Sequence, residues 1–196
     1  MTFDTTAVQQ AVYDLLRGVG EDPTREGLAD TPARVARAWA EMLDGYGKNA
    51  IDVLKTTSGE NGFSNIAYDQ MIVLAGYPMT STCEHHMLPF MGHVDVGYIP
   101  GESGVVVGLS KLGRLVEMYA ARLQVQERLT HQVADSLSWA LAPLGVGVRV
   151  RSVHQCMTCR GVRKGGVMVT EALLGAFQDH SVRDEFWHLA DSGGGA

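Results

Sequence analysis

Cys83-Glu84-His85-His86 and His154-Gln155-Cys156 stand about seventy residues apart, and a chain that uses both must return to one point in space. Cys83 and His86 form C-x-x-H, half of a zinc site by spacing; alone it is weak, because packed cysteines and histidines are common. The second group adds weight, since the chain holds only three cysteines. If residues 148–156 are a strand, His154 and Cys156 share a face by its period of two, ending a row that carries Val148 and Val150. Cys159 forms C-x-x-C with Cys156, so two arrangements stand open. One is a closed structural site of Cys83, His86, Cys156 and Cys159. The other has three protein ligands, Cys83, His86 and Cys156, with water fourth, the arrangement in which zinc acidifies bound water. His85 and His154 favour the open one, because a structural knot has no use for side chains that titrate near neutrality.

The segments between these groups alternate helix and strand. Val8, Val12, Leu15, Leu16 and Val19 recur at helical spacing over residues 5–19. Thr31 followed by Pro32 predicts a second helix, with Thr31 as its cap and Val35, Trp39, Met42, Leu43 and Tyr46 on its buried face. Residues 50–66 read as a loop with a short turn of helix. From about residue 69 the pattern is that of strands, MIVLAGYP and then HVDVGYIP, where Val94, Val96 and Tyr98 alternate with Asp95 and Gly97. Helices are predicted from Ser110 to about 121 and from about 125 to 141. VGVRVRSVHQC and GVMVTEAL are further strands, and Asp179–Ala190 is a last helix before the tail DSGGGA. The order predicts an α+β fold with an antiparallel sheet. Its expected parts are a helical N-terminal region at 1–66, an α+β domain at 67–190 and a flexible tail at 191–196.

A net charge of −6 argues against a nucleic-acid partner, which needs a basic surface. No apolar run nears 18 residues, and the N-terminus lacks a signal-peptide pattern, so neither a membrane partner nor export is expected. An odd number of cysteines suits a reducing, cytoplasmic setting. Against this acidic background two basic groups stand out. Lys111 and Arg114 share a face at the start of the helix that Ser110 opens, where free N–H groups favour an anion. Arg160, Arg163 and Lys164 follow the second ligand group. Together they suggest a polyanionic substrate, and the absence of Walker A and dinucleotide fingerprints makes phosphate a handle. Gln124 to Arg128 read by default as caps and i,i+4 partners on an exposed helix start, whereas a buried Glu127 beside Gln126 would accept two N–H bonds from a base such as guanine.

The stretches GEDPTREGLADTPARVARAWAEML, TSTCEHHMLPFMGHVDVGYIP, VVGLSKLGRLVEMYAARLQVQERLT and VHQCMTCRGVRK together resemble the GTP cyclohydrolase I family, over roughly residues 20–165. The resemblance implies conversion of GTP and water to 7,8-dihydroneopterin triphosphate and formate, the first step of pterin and folate-type biosynthesis. It implies Zn2+ on Cys83, His86 and Cys156, with His85, His154 and Ser110 in the catalytic set. His154 is positioned like a proton donor to the imidazole ring, and Ser110 like a residue near the ribose. Gln126 and Glu127 match the guanine-reading pair. Lys111, Arg114, Arg160 and Arg34 match triphosphate contacts, Arg34 reaching a neighbour's pocket. The family's fold is a tunnelling-fold (T-fold) unit with an antiparallel sheet and paired helices, plus a helical N-terminal extension. It implies a homodecamer with active sites at subunit interfaces. Leu123, Cys159, Met168 and Glu171 depart from the family pattern. Two other readings are a zinc-stabilised oligomeric scaffold of this fold that has lost catalysis, and another tunnelling-fold enzyme acting on pterins or deazapurines.

Overall fold

A computed structural model describes residues 2–54, 68–102, 104 and 106–193. The loop expected over 50–66 lies outside the described residues from 55 onward, as does the boundary expected at 66; Ala50–Leu54 is a short helix, α3. The chain opens with α1 (Thr5–Gly18), whose first turn is capped by Asp4, the carboxylate accepting from Ala7 N at 2.9 Å. The predicted apolar stripe is on this helix, but none of its residues is buried within the chain, and Leu15 and Val19 are exposed. α2 (Thr31–Met42) starts one residue earlier than expected. Asp30 holds the cap position, and its carboxylate turns to Arg34 at 3.0 Å, leaving Thr31 as the first helical residue before Pro32.

The body of the fold is a five-stranded sheet in the order β3-β1-β2-β4-β5. Its strands are β1 (Ile72–Cys83), β2 (Pro89–Ile99), β3 (Leu123–Gln124), β4 (Gly145–His154) and β5 (Met168–Gly175). The four long strands are antiparallel, as predicted. The two-residue β3 is the exception, running parallel to the end of β1 at Thr82 and Cys83. Between β2 and β4 the chain forms α4 (Leu109–Ala120) and α5 (Gln126–Leu141), which cover one face. Leu112, Leu115, Val116, Leu129, Val133 and Leu137 bury against Val94, Val96, Tyr98, Val146, Val148 and Val150. Each such side chain contributes about 1.5–3 kcal/mol on leaving water. This antiparallel sheet with paired helices, preceded by N-terminal helices, is an α+β arrangement, as expected.

The opposite face is covered at one end by α7 (His180–Gly193), where Phe177, Phe186 and Ala190 form a second small core. The alternation that put Val94 and Val96 inward put Asp95 outward, yet Asp95 is also fully buried. It accepts from Gly76 N at 2.8 Å, Arg149 Nε at 3.0 Å and Arg151 Nη2 at 3.2 Å. Gly76 sits in a bulge of β1 between Leu74 and Tyr77, at φ 62, a conformation glycine adopts without a steric penalty. Asp191, expected in the tail, lies in α7 and closes this network onto Arg149 at 2.6 Å; residues 194–196 of that tail lie outside the described residues.

Candidate metal and proton-transfer site

The hairpin between β1 and β2 carries the first ligand group. Cys83 ends β1; its N–H donates to Leu88 O at 2.9 Å and its carbonyl accepts from Met87 N at 2.8 Å. Met87 turns the chain in the left-handed region at φ 55. Glu84 N donates to Gln124 O at 2.9 Å, so β3 holds the turn from the side. The turn is also clamped from α5. Arg128 reaches the Glu84 carboxylate, Gln124 Oε1 at 2.9 Å and Leu123 O at 2.9 Å. That guanidinium, together with the hydrogen bond it gives, holds the Glu84 carboxyl below the usual range.

Strand register delivers the second group. β4 pairs with β2 so that His154 stands opposite Phe90, directly beside the turn. The strand expected to run to Cys156 stops at His154, and Gln155–Thr158 forms a helical turn, α6. In continued register Gln155 would face Pro89, which has no N–H to give to a ladder. The helical turn swings Cys156 back over the hairpin. The ligand atoms of Cys83, His86 and Cys156 then all lie within 4.8 Å of one another, with Cys83 Sγ 3.9 Å from His86 Nδ1.

Two thiols and an imidazole at this separation are a donor set that could hold a metal ion, and soft thiolates favour zinc-like cations over hard ones. Burial and then the neighbouring Cys83 push the Cys156 thiol up, while Arg160 opposes them. Adjacent thiols resist ionising together unless a cation neutralises them, which is what such a set is built for. Cys159 is exposed and stands outside this trio.

His154 lies beside the trio, half-buried, its ring stacked on Phe90. Burial draws it below the ordinary histidine value, with Glu127 acting in the opposite direction. His85 projects from the turn, its side chain 65% exposed and its Nε2 3.9 Å from Glu84 Oε1. Glu127 is exposed at the start of α5. Gln126, expected beside it as a guanine reader, is 1% exposed. Its Oε1 accepts from Ser152 Oγ at 2.6 Å and contacts His154 Nε2 at 2.9 Å, and its Nε2 faces Val150 O, Met168 O and Thr170 Oγ1.

Other expected residues are not gathered here. α4 and β1 run in the same direction: Gly113 lies against the Tyr77 ring, and Ser81 Oγ donates to Ala120 O at 2.7 Å. Ser110 precedes Ala120 by about ten residues, or roughly 15 Å of helix, and Ser81 itself precedes Cys83. Ser110, Lys111 and Arg114 therefore lie toward the far end of β1 from Cys83. Arg34 is on α2, ion-paired with Asp30 at 3.0 Å. Sequence reasoning missed Phe90, and it took Arg128 only as an i,i+4 partner within 124–128, not as the clamp on the turn. Arg128 had one local signal, its i,i+4 spacing from Gln124, whereas the Phe90 pairing depends on strand register alone.

Residues 8–191 match the model of a family described as GTP cyclohydrolase I. The chain is 50% identical over 188 residues to GTP cyclohydrolase 1 of Streptomyces coelicolor, covering 95% of this chain and 90% of that relative. It is 50% identical over 177 residues to GTP cyclohydrolase 1 of Thermobifida fusca, covering 90% and 83%. Over 177 residues it is 51% identical to GTP cyclohydrolase 1 of Mycolicibacterium vanbaalenii, covering 90% and 85%.

Proposed function

This chain belongs to the GTP cyclohydrolase I family, and from that premise we propose that it hydrolyses and rearranges GTP to 7,8-dihydroneopterin triphosphate and formate. The observation that carries the reading is the convergence of Cys83, His86 and Cys156 within 4.8 Å beside the stacked His154. The metal is Zn2+ on those three residues. Bound there, zinc supplies Lewis acidity at the purine imidazole, sufficient to make water a nucleophile near neutral pH.

The chain's own residues do the rest. His154, anchored by Gln126 and Phe90, gives a proton to the imidazole nitrogen of the purine as its five-membered ring opens. His85, free to move on an exposed turn, serves the later proton transfers of ring opening and sugar rearrangement. The exposed Glu127 carboxylate reads the N–H edge of guanine, and Arg160 beside Cys156 meets the triphosphate.

Ser110, Lys111 and Arg114 act on the ribose and triphosphate from a second copy of the chain. The length of α4 separating them from Cys83 supports this, and it makes the working protein a homo-oligomer, with a decamer as the assembly. Arg34 reaches the site from a further copy. Among the described residues no helix is long and apolar enough to cross a membrane. With three free cysteines, a reducing cytoplasm is the setting.

The test is direct: purified protein is incubated with GTP and zinc, and formate and pterin absorbance are followed. Stoichiometric formate with a dihydroneopterin triphosphate product is expected. A protein that binds zinc and GTP but yields neither product is the scaffold reading instead.

A further inference from the structure

Gln126 is a buried amide whose orientation can be read without ambiguity. Val150 O and Met168 O stand 3.0 and 3.1 Å from one end of it, and carbonyl oxygens only accept. That end is therefore the NH2 group, and the other end, Oε1, faces Ser152 and His154. Turning the amide over would set an oxygen against two carbonyls, in a place water does not reach.

The hydroxyls behind it agree. Thr130 Oγ1 gives its only hydrogen to Gln126 O at 2.7 Å, so Thr170 Oγ1 must donate across the 2.7 Å contact to Thr130. Thr170 thus keeps a lone pair for Gln126 Nε2 at 3.1 Å. With Ser152 donating at 2.6 Å, every polar atom of the amide is engaged, leaving nothing to read a base.

The consequence falls on His154. Its Nε2 lies 2.9 Å from an oxygen that can only accept, so Nε2 must carry a hydrogen. Phe90 fixes the plane of the ring, and of the two orientations in that plane the bond to Gln126 selects the one that presents Nε2. We propose that Gln126 is a positioning residue that keeps a hydrogen on His154 Nε2, so that Nδ1 is the nitrogen that takes up a proton and passes it to substrate. The role assigned to Nδ1 rests on the functional reading above, whereas the tautomer does not.

The test therefore has two arms. In the first, the full-length metal-loaded chain is labelled with 15N-histidine and sedimented for solid-state NMR at about pH 8, where imidazole is neutral. The His154 signals are assigned by their loss in His154→Gln. A protonated Nε2 and a bare Nδ1 are expected, and the reverse pattern overturns the proposal whether or not the protein turns over GTP. In the second arm, Gln126→Met keeps the length of the side chain and removes both the acceptor and the donors. A 10–100-fold loss in kcat is expected, with KM for GTP within about twofold and metal content retained. A raised KM with kcat kept means that Gln126 reads the base after all, and no change in either means that it is packing; both outcomes overturn the proposal. Should Gln126→Met fail to fold, the wild-type spectrum alone decides. Absence of turnover in the wild-type chain would refute the enzyme reading while leaving the tautomer measurement intact.

Discussion

The imidazole of His154 lies 2° from parallel to the phenyl ring of Phe90, with centroids 4.6 Å apart. Phe90 is fully buried, so the stack clamps a partly polar ring onto the apolar core and fixes its plane. Aromatic pairs of this kind contribute about 0.5–1.5 kcal/mol beyond area burial. Phe90→Leu should therefore lower kcat several-fold while the metal content holds, because the three ligands come from other residues. Steady-state kinetics and metal analysis on the variant check this. A variant that loses stability in urea but keeps full kcat would reduce the stack to packing.

The ligand trio gives a second prediction. Cys83→Ser and Cys156→Ser should each lose tightly bound metal and turnover, whereas Cys159→Ser should keep both, since Cys159 is exposed and outside the trio. Chelation should abolish activity with little change in far-UV circular dichroism. The reason is that Val94, Val96, Val148 and the α4 and α5 faces form a core independent of the trio. Elemental analysis and thermal melts decide it: a chain that unfolds on chelation, or a Cys159→Ser variant without metal, contradicts the three-ligand reading.

Arg128 ties the ligand turn to β3 and α5 through one planar fork that touches Glu84, Gln124 and Leu123. Lysine cannot span three acceptors from one end of its side chain. Arg128→Lys should keep the fold but weaken metal retention about 10–100-fold, as loss of groups behind a metal ligand commonly does. Competition with a zinc chelator measures it, and unchanged retention would limit Arg128 to a surface ion pair.

Separation along α4 makes a prediction about copies. If Ser110, Lys111 and Arg114 serve the trio of another chain, Arg114→Ala and Cys83→Ser are defects in different halves of a shared site. Each variant alone should be nearly inactive. Co-refolded or co-expressed, the two should regain measurable turnover, because some interfaces then pair an intact trio with an intact basic group. Mixed assemblies as inactive as their parents would put both groups in one chain's pocket.

Much of this architecture was legible in the chain because periodicity is local. The four-residue steps from Val125 to Leu141 placed α5 within a residue, and the alternation of Val94, Val96 and Tyr98 found β2, although β1 runs five residues past Pro78 and β2 starts four residues before His93. What periodicity could not supply was everything set by register and by a second covered face. Asp95 reads as solvent-facing until Arg149, Arg151 and Gly76 are brought against it from distant segments. The break at His154 depends on Pro89 lying opposite, and the use of Gln126 depends on carbonyls contributed by β4 and β5. Lys111 and Arg114 show the converse. Their shared helix face was correctly read, but direction along α4, which separates them from Cys83, is a tertiary property.

Asp191 supplies a pH-dependent prediction away from the site. Its carboxyl is held below its ordinary 3.8, first by the hydrogen bond from Arg149 and then by the charges of Arg149 and Arg151, with burial opposing. A depressed folded-state value means that the contact stabilises fully above the unfolded value. That contribution is lost as pH falls through the lower folded value. Asp191→Asn should therefore be less stable than the parent at pH 5 and above, and the gap should close below an ordinary carboxyl value of 3.8. The side chain is 58% exposed, so solvent screening limits the gap to roughly 0.5–1 kcal/mol. The neighbouring buried pair is worth more. Asp95→Asn leaves the buried Arg149 facing a neutral amide, and loss of one partner of such a pair costs about 3–5 kcal/mol. Urea unfolding of Asp191→Asn at pH 7, 5 and 3.5 checks the pH dependence, and at pH 7 it compares the two variants. A pH-independent gap for Asp191→Asn would mean that its ion pairs do not fasten α7 to the sheet.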